Sequence, residues 1–166
     1  MTTTPAVTFP KSVGQIPFAF PFKPGSDESS ETSVYGALYP FGHGLSYTTF
    51  QYSDLAISPS KQGVQGNISI SCTIKNIGQR EGDEVVQLYL RDEVSSVTTY
   101  TQVLRGFERI TLKPEASHTV HFELTPQELG IWDKQMNFTV EPGMFKVMIG
   151  STSKDIRLKG EFEIAQ

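Results

Sequence analysis

Strict alternation of apolar and polar residues constrains this chain more than any other feature of its sequence. In the segment 66–76 every second position is apolar, and these positions hold Ile68, Ile70, Cys72 and Ile74. Successive side chains of a β-strand point to opposite faces, so this pattern is typical of a strand that is buried on one face. Similar short segments recur up to Ile164, separated by turn residues, with no pattern for a helix longer than one turn. Residues 50–166 are therefore predicted to form an all-β fold, a β-sandwich.

Three segments of the predicted sandwich carry more specific signals. The apolar residues of the segment 50–57 change phase midway, which predicts a bulge or an edge strand. The segment 85–90 is apolar on both phases, as expected of a central strand that is covered on both faces. Thr125 can cap a helix and Pro126 suits its first position, so one helical turn is predicted there.

The residues before the sandwich are predicted to form three pieces. Residues 1–22 form an extended strap, because its phenylalanines alternate with prolines that cannot donate to a sheet ladder. The rings of the strap would pack on the sandwich, pair with a second chain to give a homodimer, or remain exposed as an association patch. Residues 23–37 are rich in small polar residues and form a mobile linker. Residues 38–49 form a docking loop.

The docking loop is the segment with the densest set of rings and turn-forming residues. It lies within Leu38-Tyr39-Pro40-Phe41-Gly42-His43-Gly44-Leu45-Ser46-Tyr47-Thr48-Thr49-Phe50, which holds four aromatic rings, two glycines and a proline. A solvated loop would not carry so much apolar area, so the segment predicts a shaped loop that packs its rings. This segment resembles the one that opens the C-terminal fibronectin type III-like domain of family 3 glycoside hydrolases, the β-glucosidases and β-xylosidases. The resemblance implies that the sandwich is of the fibronectin type III or immunoglobulin-like kind.

Further segments that resemble this family follow in the same order along the chain. They are Asn76-Ile77-Gly78, Gly82-Asp83-Glu84-Val85-Val86-Gln87-Leu88-Tyr89, Leu104-Arg105-Gly106-Phe107-Glu108-Arg109 and Leu129-Gly130-Ile131-Trp132-Asp133. Upstream, the segment 8–17 resembles the end of the α/β-sandwich domain that precedes the β domain in those enzymes. The turn Lys113-Pro114-Glu115-Ala116 lacks the glycine common there, which leaves its turn type open.

Charge and hydropathy argue against several classes of partner. The net charge of −4 comes without any cluster of Lys or Arg, so no nucleic-acid partner is expected. No apolar run approaches the roughly 18 residues of a membrane span, so no membrane partner is expected either. Residues 1–5 do not form a signal peptide, which predicts that the chain is a piece of a longer protein.

The sequence predicts no catalytic, metal or cofactor site. Glycoside hydrolysis needs two carboxylates held across the sugar, but most acidic residues here lie beside glycines or at strand ends, where solvated turns are common. His118 and His121, three apart on a strand, face opposite ways and cannot share a metal ion. The resemblance implies that the catalytic acids belong to the barrel and its partner domain.

Aromatic residues supply the candidate contact sites. The predicted interdomain docking residues are Tyr39, Phe41, His43, Tyr47, Phe18 and Phe20. Trp132, Tyr100 and His43 are weaker candidates for sugar contact, because sugar rings stack on flat side chains. For Trp132, a ring that closes one end of the sandwich is favoured over an exposed platform.

The predicted function is therefore structural. The resemblance implies a non-catalytic module that braces the catalytic domains of a β-glucosidase-like enzyme, which would be its partners in a periplasmic or secreted bacterial protein. The alternative is an independent carbohydrate-binding or adhesion module, because sandwich folds serve many functions.

Overall fold

Apart from one helical turn, the regular secondary structure of the described residues is β-strand. The computed structural model describes residues 7–13, 15, 20–24 and 36–166. Phe18 and most of the predicted linker lie outside the described residues. In chain order the elements are β1 (Phe9–Pro10), β2 (Ala37–Tyr39), β3 (Phe50–Ser58), β4 (Lys61–Gly63), β5 (Ile68–Asn76), β6 (Gly82–Asp92), β7 (Val103–Leu112), β8 (Ser117–Leu124), α1 (Pro126–Leu129), β9 (Ile131–Trp132), β10 (Phe138–Thr139), β11 (Gly143–Gly150) and β12 (Ile156–Ala165).

Two sheets pack face to face as a sandwich. One sheet has the strand order β4-β12-β11-β6-β7, and the other has the order β3-β5-β8. Neighbouring strands are antiparallel except for β4 and β12, which pair in parallel. Two short ladders, β1-β2 and β9-β10, lie outside the sandwich sheets. The predicted all-β sandwich is confirmed.

The core lies between the two sheets and follows the alternation of the sequence. All four apolar residues of the β5 pattern, Ile68, Ile70, Cys72 and Ile74, are fully buried. From the facing sheet, Phe145 and Phe162 stack with ring centroids 5.3 Å apart. Burial also raises the pKa of the Cys72 thiol to about 11, which keeps it protonated and unreactive.

The phase change at the start of the sandwich is a bulge on an edge strand, as predicted. β3 pairs only with β5, and its register shifts between Ser53 and Ala56. Asp54, at the shift, has a φ of 54°. The bulge adds one residue to β3, so the apolar positions change from even-numbered (Tyr52) to odd-numbered (Leu55 and Ile57) along the sequence. This change explains the broken pattern.

The central strand β6 is covered on both faces. On the inner face Val86 and Leu88 are fully buried in the core. On the outer face Gln87 and Tyr89 are buried as well, although no third sheet lies there. The segment before the sandwich covers these two side chains, and it forms the centre of the site described below.

The turn between β7 and β8 settles the turn type left open by the sequence. The Ala116 amide donates to the Lys113 carbonyl over 3.1 Å, and Glu115 has a φ of 63°. A positive φ at the third residue, after a proline, is typical of a type II turn. Glu115 therefore takes a conformation that favours glycine, while its carboxylate lies 2.6 Å from Lys75 Nζ.

Replacing Glu115 with glycine should raise the free energy of unfolding by about 0.5 kcal/mol. Removing the strain of a left-handed non-glycine residue adds about 1–2 kcal/mol to the free energy of unfolding. Two effects lower it: the greater conformational freedom of glycine in the unfolded chain, about 0.5–1 kcal/mol, and the loss of the exposed ion pair, about a few tenths of a kcal/mol. Urea unfolding measures the change. Lys75→Ala is the control for the lost ion pair, and a Glu115→Gly variant less stable than Lys75→Ala would contradict the argument.

Candidate functional site

The docking loop begins with a tight turn directly over the outer face of β6. The His43 amide donates to the Pro40 carbonyl over 3.0 Å, and Gly42, the third residue of this turn, has a φ of 77°. A Cβ atom on Gly42 would also lie 2.1 Å from Oε1 of Gln87. Glycine is needed here both for the backbone conformation and for the close approach to the strand.

A buried glutamine holds the first half of the loop. Gln87 Nε2 donates to the carbonyls of Gly42 over 3.1 Å and of Ser151 over 2.5 Å. Gln87 Oε1 accepts from the hydroxyl of Tyr89. The Ser153 amide donates to the Phe41 carbonyl over 3.0 Å, which adds a second link from the turn after β11. Every polar atom of this buried amide is used, so the loop has a defined position.

A second buried amide holds the far end of the loop. Asn76, fully buried at the end of β5, donates to the carbonyls of Arg80 over 2.7 Å and Leu112 over 2.8 Å. Its Oδ1 accepts from Thr48 Oγ1 over 2.7 Å and from the Gly78 amide over 3.0 Å. The loop is therefore anchored to the sandwich at both ends.

Rings from the strap and the loop complete the cover of the outer face. Phe20 stacks on Phe41 with centroids 4.4 Å apart, and its edge meets the buried ring of Tyr89 at 5.7 Å. The Phe22 carbonyl accepts from the Thr101 amide over 2.9 Å. The sequence left three possibilities for the rings of the strap: packing on the sandwich, pairing with a second chain, or exposure. Phe20 packs on the sandwich of its own chain.

The other predicted docking residues lie nearer the surface. Tyr39 is stacked on His43 with centroids 4.9 Å apart, and the ring of Phe9 meets Tyr39 edge-on. Tyr47 is 83% exposed, and Leu45, two residues earlier, is 77% exposed. The tip of the loop, 45–47, thus presents apolar side chains to solvent from an anchored backbone.

A cavity of about 480 Å³ separates the loop from the turn after β11, and three carboxylates line it. Arg157 binds Asp155 through both oxygens at 2.6 Å, and this holds the pKa of Asp155 below its usual range. Hydrogen bonds from Thr111 and Arg109 likewise lower the pKa of Asp83. Burial raises the pKa of Glu84. Asp155 and Asp83 are therefore engaged in links between strands and turns of the sandwich.

The histidines and the remaining acidic groups form no metal site among the described residues. His118 Nε2 lies 3.4 Å from Glu108 Oε1 on the neighbouring sheet edge, and His43 packs on Tyr39. In the described part of the chain no helix is long and apolar enough to cross a membrane.

Trp132 and Tyr100 lie together at the end of the sandwich that contains α1. Trp132 is 59% exposed and meets Phe138 of the β9-β10 hairpin at 5.6 Å. The interpretation of Trp132 as a ring that closes the sandwich is wrong, because the hairpin holds it outside and Leu129, 3% exposed, joins the core instead. Tyr100 is 44% exposed and lines the same cavity as Trp132.

Comparison with known proteins agrees with this architecture. A model of the fibronectin type III-like domain matches residues 84–153. The chain carries a fibronectin type III-like domain. The predicted resemblance to β-glucosidases and β-xylosidases is confirmed by the relatives that it matches.

Two relatives of this fibronectin type III-like domain show the extent of the likeness. The chain is 41% identical over 95% of its length to a periplasmic β-glucosidase of Salmonella typhimurium, and 41% identical over 92% to a β-xylosidase of Formosa agariphila. It spans only 22% of the length of either relative.

Solved structures extend the likeness to the fold. A β-glucosidase from Erythrobacter marinus is 35% identical with a TM-score of 0.88, covering 95% of this chain and 21% of that one. A β-glucosidase from Listeria innocua, solved with glucose, is 29% identical with a TM-score of 0.85, covering 96% of this chain and 24% of that one.

Sequence reasoning missed the two amides that fix the docking loop on this domain. Asn76 and Gln87 both stand in segments that carry the family resemblance, but nothing in their local pattern indicates a link to the loop. A glutamine within an apolar run was the available signal, because a buried amide needs several partners. The partners themselves come from distant parts of the chain.

Proposed function

We propose that this chain is the non-catalytic fibronectin type III-like module of a larger glycoside hydrolase that acts on terminal β-linked sugars. In this proposal the module braces the catalytic domains, and the tip of the docking loop packs against them. The names of the relatives, β-glucosidases and β-xylosidases, support the reaction class. A periplasmic or secreted location, as in the name of the Salmonella typhimurium relative, is part of the same proposal.

One observation carries the proposal: an anchored loop exposes apolar side chains. Leu45 and Tyr47 are largely exposed, while both ends of their loop are held by fully bonded, buried amides. Burying such a side chain gains about 1.5–3 kcal/mol, and a loop already fixed loses little conformational entropy on docking. An exposed apolar tip on a rigid support is typical of an interaction site.

The engagement of the acidic groups supports a non-catalytic role. Besides the cavity carboxylates, several acids hold turns and strands together. Glu93 binds Arg91 and Lys146, Glu141 accepts from Ser96, Asp133 accepts from the amides of Gln135 and Asn137, and Glu128 completes the capping box with Thr125. Carboxylates with such partners have structural roles, whereas a catalytic pair needs a desolvated cleft around the sugar.

The test is a hybrid enzyme in which this chain replaces the matching 22% of the Salmonella typhimurium β-glucosidase. The hybrid should hydrolyse an aryl β-glucoside, and this chain alone should not. Tyr47→Asp in the hybrid should weaken the contact between the modules by at least about 2 kcal/mol, because it removes a buried ring and places a charge at the interface. Differential scanning calorimetry of the hybrid measures this loss.

Phe107→Asp is the matched control for Tyr47→Asp. Phe107 is another exposed ring, 68% accessible on β7, and it does not belong to the loop tip 45–47. This control should leave the hybrid unchanged. Hydrolysis by the chain alone would sink the non-catalytic role, and equal losses in both variants would sink the docking role of the loop tip.

Two further predictions from the sequence stay predictions. A homodimer through the strap would have to form beside a Phe20 that already packs on Phe41 and Tyr89. Light scattering of the purified chain tests it. The alternative function, an independent carbohydrate-binding or adhesion module, requires a sugar site on the sandwich itself.

A further inference from the structure

A small cavity opens at the end of the sandwich, away from the docking loop. Its volume is about 270 Å³, and core side chains Leu90, Leu129 and Phe145 form part of its lining. Tyr100 and Trp132 line it as well, and both rings are partly exposed. A cavity with an apolar lining and exposed rings is the usual form of a small-molecule site.

A bulge brings an arginine into this cavity. In the ladder of β6 and β7, Leu104 pairs with Tyr89 and Gly106 pairs with Leu88, so Arg105 is an extra residue between two paired positions. Bulges redirect side chains in this way, often beside binding sites. Arg105 lines the cavity, and within the described part of the chain its buried Nε–H has no hydrogen-bond partner.

The guanidinium of Arg105 points to a ligand with acceptor oxygens, because this group can only donate hydrogen bonds. Asp92, which also lines the cavity, accepts from the Val94 amide through Oδ1 and adds a carboxylate acceptor for hydroxyl groups. Glu128, the other acid of the lining, is already held by Thr125 in the capping box.

We propose that this cavity binds one pyranose ring of a neutral oligosaccharide, with Tyr100 and Trp132 against the faces of the sugar and Arg105 and Asp92 bonded to its hydroxyls. A pyranose combines apolar C–H faces with hydroxyls that both donate and accept, which matches rings beside one donor and one acceptor. The volume suits a single ring, because cavities for drug-sized ligands are about 300–1,000 Å³.

Charged ligands fit the lining less well. An anion would meet the carboxylates of Asp92 and Glu128, while a cation would meet the guanidinium of Arg105 and offer no acceptor to its free N–H. A neutral polyhydroxylated ligand avoids both conflicts. The site shares no residue with the docking loop. Sugar binding is therefore a function in addition to the bracing role, and the two proposals can be tested independently.

The test is isothermal titration calorimetry of the purified chain with cellobiose and with xylobiose. Saturable heat is expected with at least one of them. Trp132→Ala and Tyr100→Ala should each weaken binding by about two- to twelvefold, since one ring contact is worth about 0.5–1.5 kcal/mol. Arg105→Lys keeps the charge but removes the planar guanidinium with its fixed donors, and it should also weaken binding.

The control is Phe107→Ala, an exposed ring outside the cavity, which should bind like the parent chain. Because Trp132 and Tyr100 are partly exposed, their variants are expected to fold, and thermal unfolding checks this. Absence of saturable heat with both sugars overturns the proposal. So does an equal loss in Phe107→Ala, or tighter binding of glucuronate or of tetramethylammonium than of the neutral disaccharides.

Discussion

Replacing Asn76 with leucine should lower the free energy of unfolding by about 3–5 kcal/mol, since one buried hydrogen bond and three partly buried ones would be lost at up to about 1–3 kcal/mol each before relaxation. Leucine has nearly the shape of asparagine but can neither donate nor accept. The groups left behind are the carbonyls of Arg80 and Leu112, the Thr48 hydroxyl and the Gly78 amide. Equilibrium unfolding in urea measures the loss.

Asn67→Leu is the matched control for this prediction. Asn67 stands just before β5, is exposed, and makes one side-chain hydrogen bond, to Glu123 over 2.8 Å. The same substitution there should change the free energy of unfolding by less than about 0.5 kcal/mol, as is usual for surface sites. If both variants lost the same stability, the buried network of Asn76 would not be what holds the end of the docking loop.

The alternation of the sequence was enough to predict the sandwich, because a strand buried on one face leaves a period-two record in the chain. The alternating segment 66–76 contains β5 (Ile68–Asn76), and α1 carries the capping box that Thr125 allows. The phase change in β3 marked a real bulge. In each case neighbouring residues alone determine the signal, so one sequence contains it.

The features that build the candidate sites depend on contacts between distant segments. In the sequence, Gln87 is only a polar residue within an apolar strand. In the structure, its side chain binds the carbonyls of Gly42 and Ser151. The bulge at Arg105 arises from the pairing of β7 with β6, and nothing in its own segment shows it. Trp132 was placed wrongly because an apolar ring after a helical turn suggests core, whereas the β9-β10 hairpin holds it outside. Periodicity records which face is buried but does not record what covers it.

Replacing Gln87 with leucine should release the first half of the docking loop and lower the free energy of unfolding by about 2–4 kcal/mol, through three unpaired buried groups. These groups are the carbonyls of Gly42 and Ser151 and the hydroxyl of Tyr89. Tyr89 is fully buried beneath the ring of Phe20, so its hydroxyl has no route to water unless the cover opens. Hydrogen exchange should therefore speed up most over residues 41–46, beyond the loss expected from global stability alone.

Gln87→Glu separates the loss of hydrogen bonds from the change of shape. The carboxylate keeps an acceptor for Tyr89 but turns it against the carbonyls of Gly42 and Ser151, so this variant should be less stable than Gln87→Leu at neutral pH. Gln51→Leu, an exposed glutamine on the edge strand β3, is the control and should change little. Exchange that quickens evenly across the sandwich in Gln87→Leu would mean that the loop unfolds only with the whole domain. Faster exchange confined to residues 41–46 would mean that Gln87 holds the first half of the loop, and that it helps to set the geometry of any surface that the tip contacts.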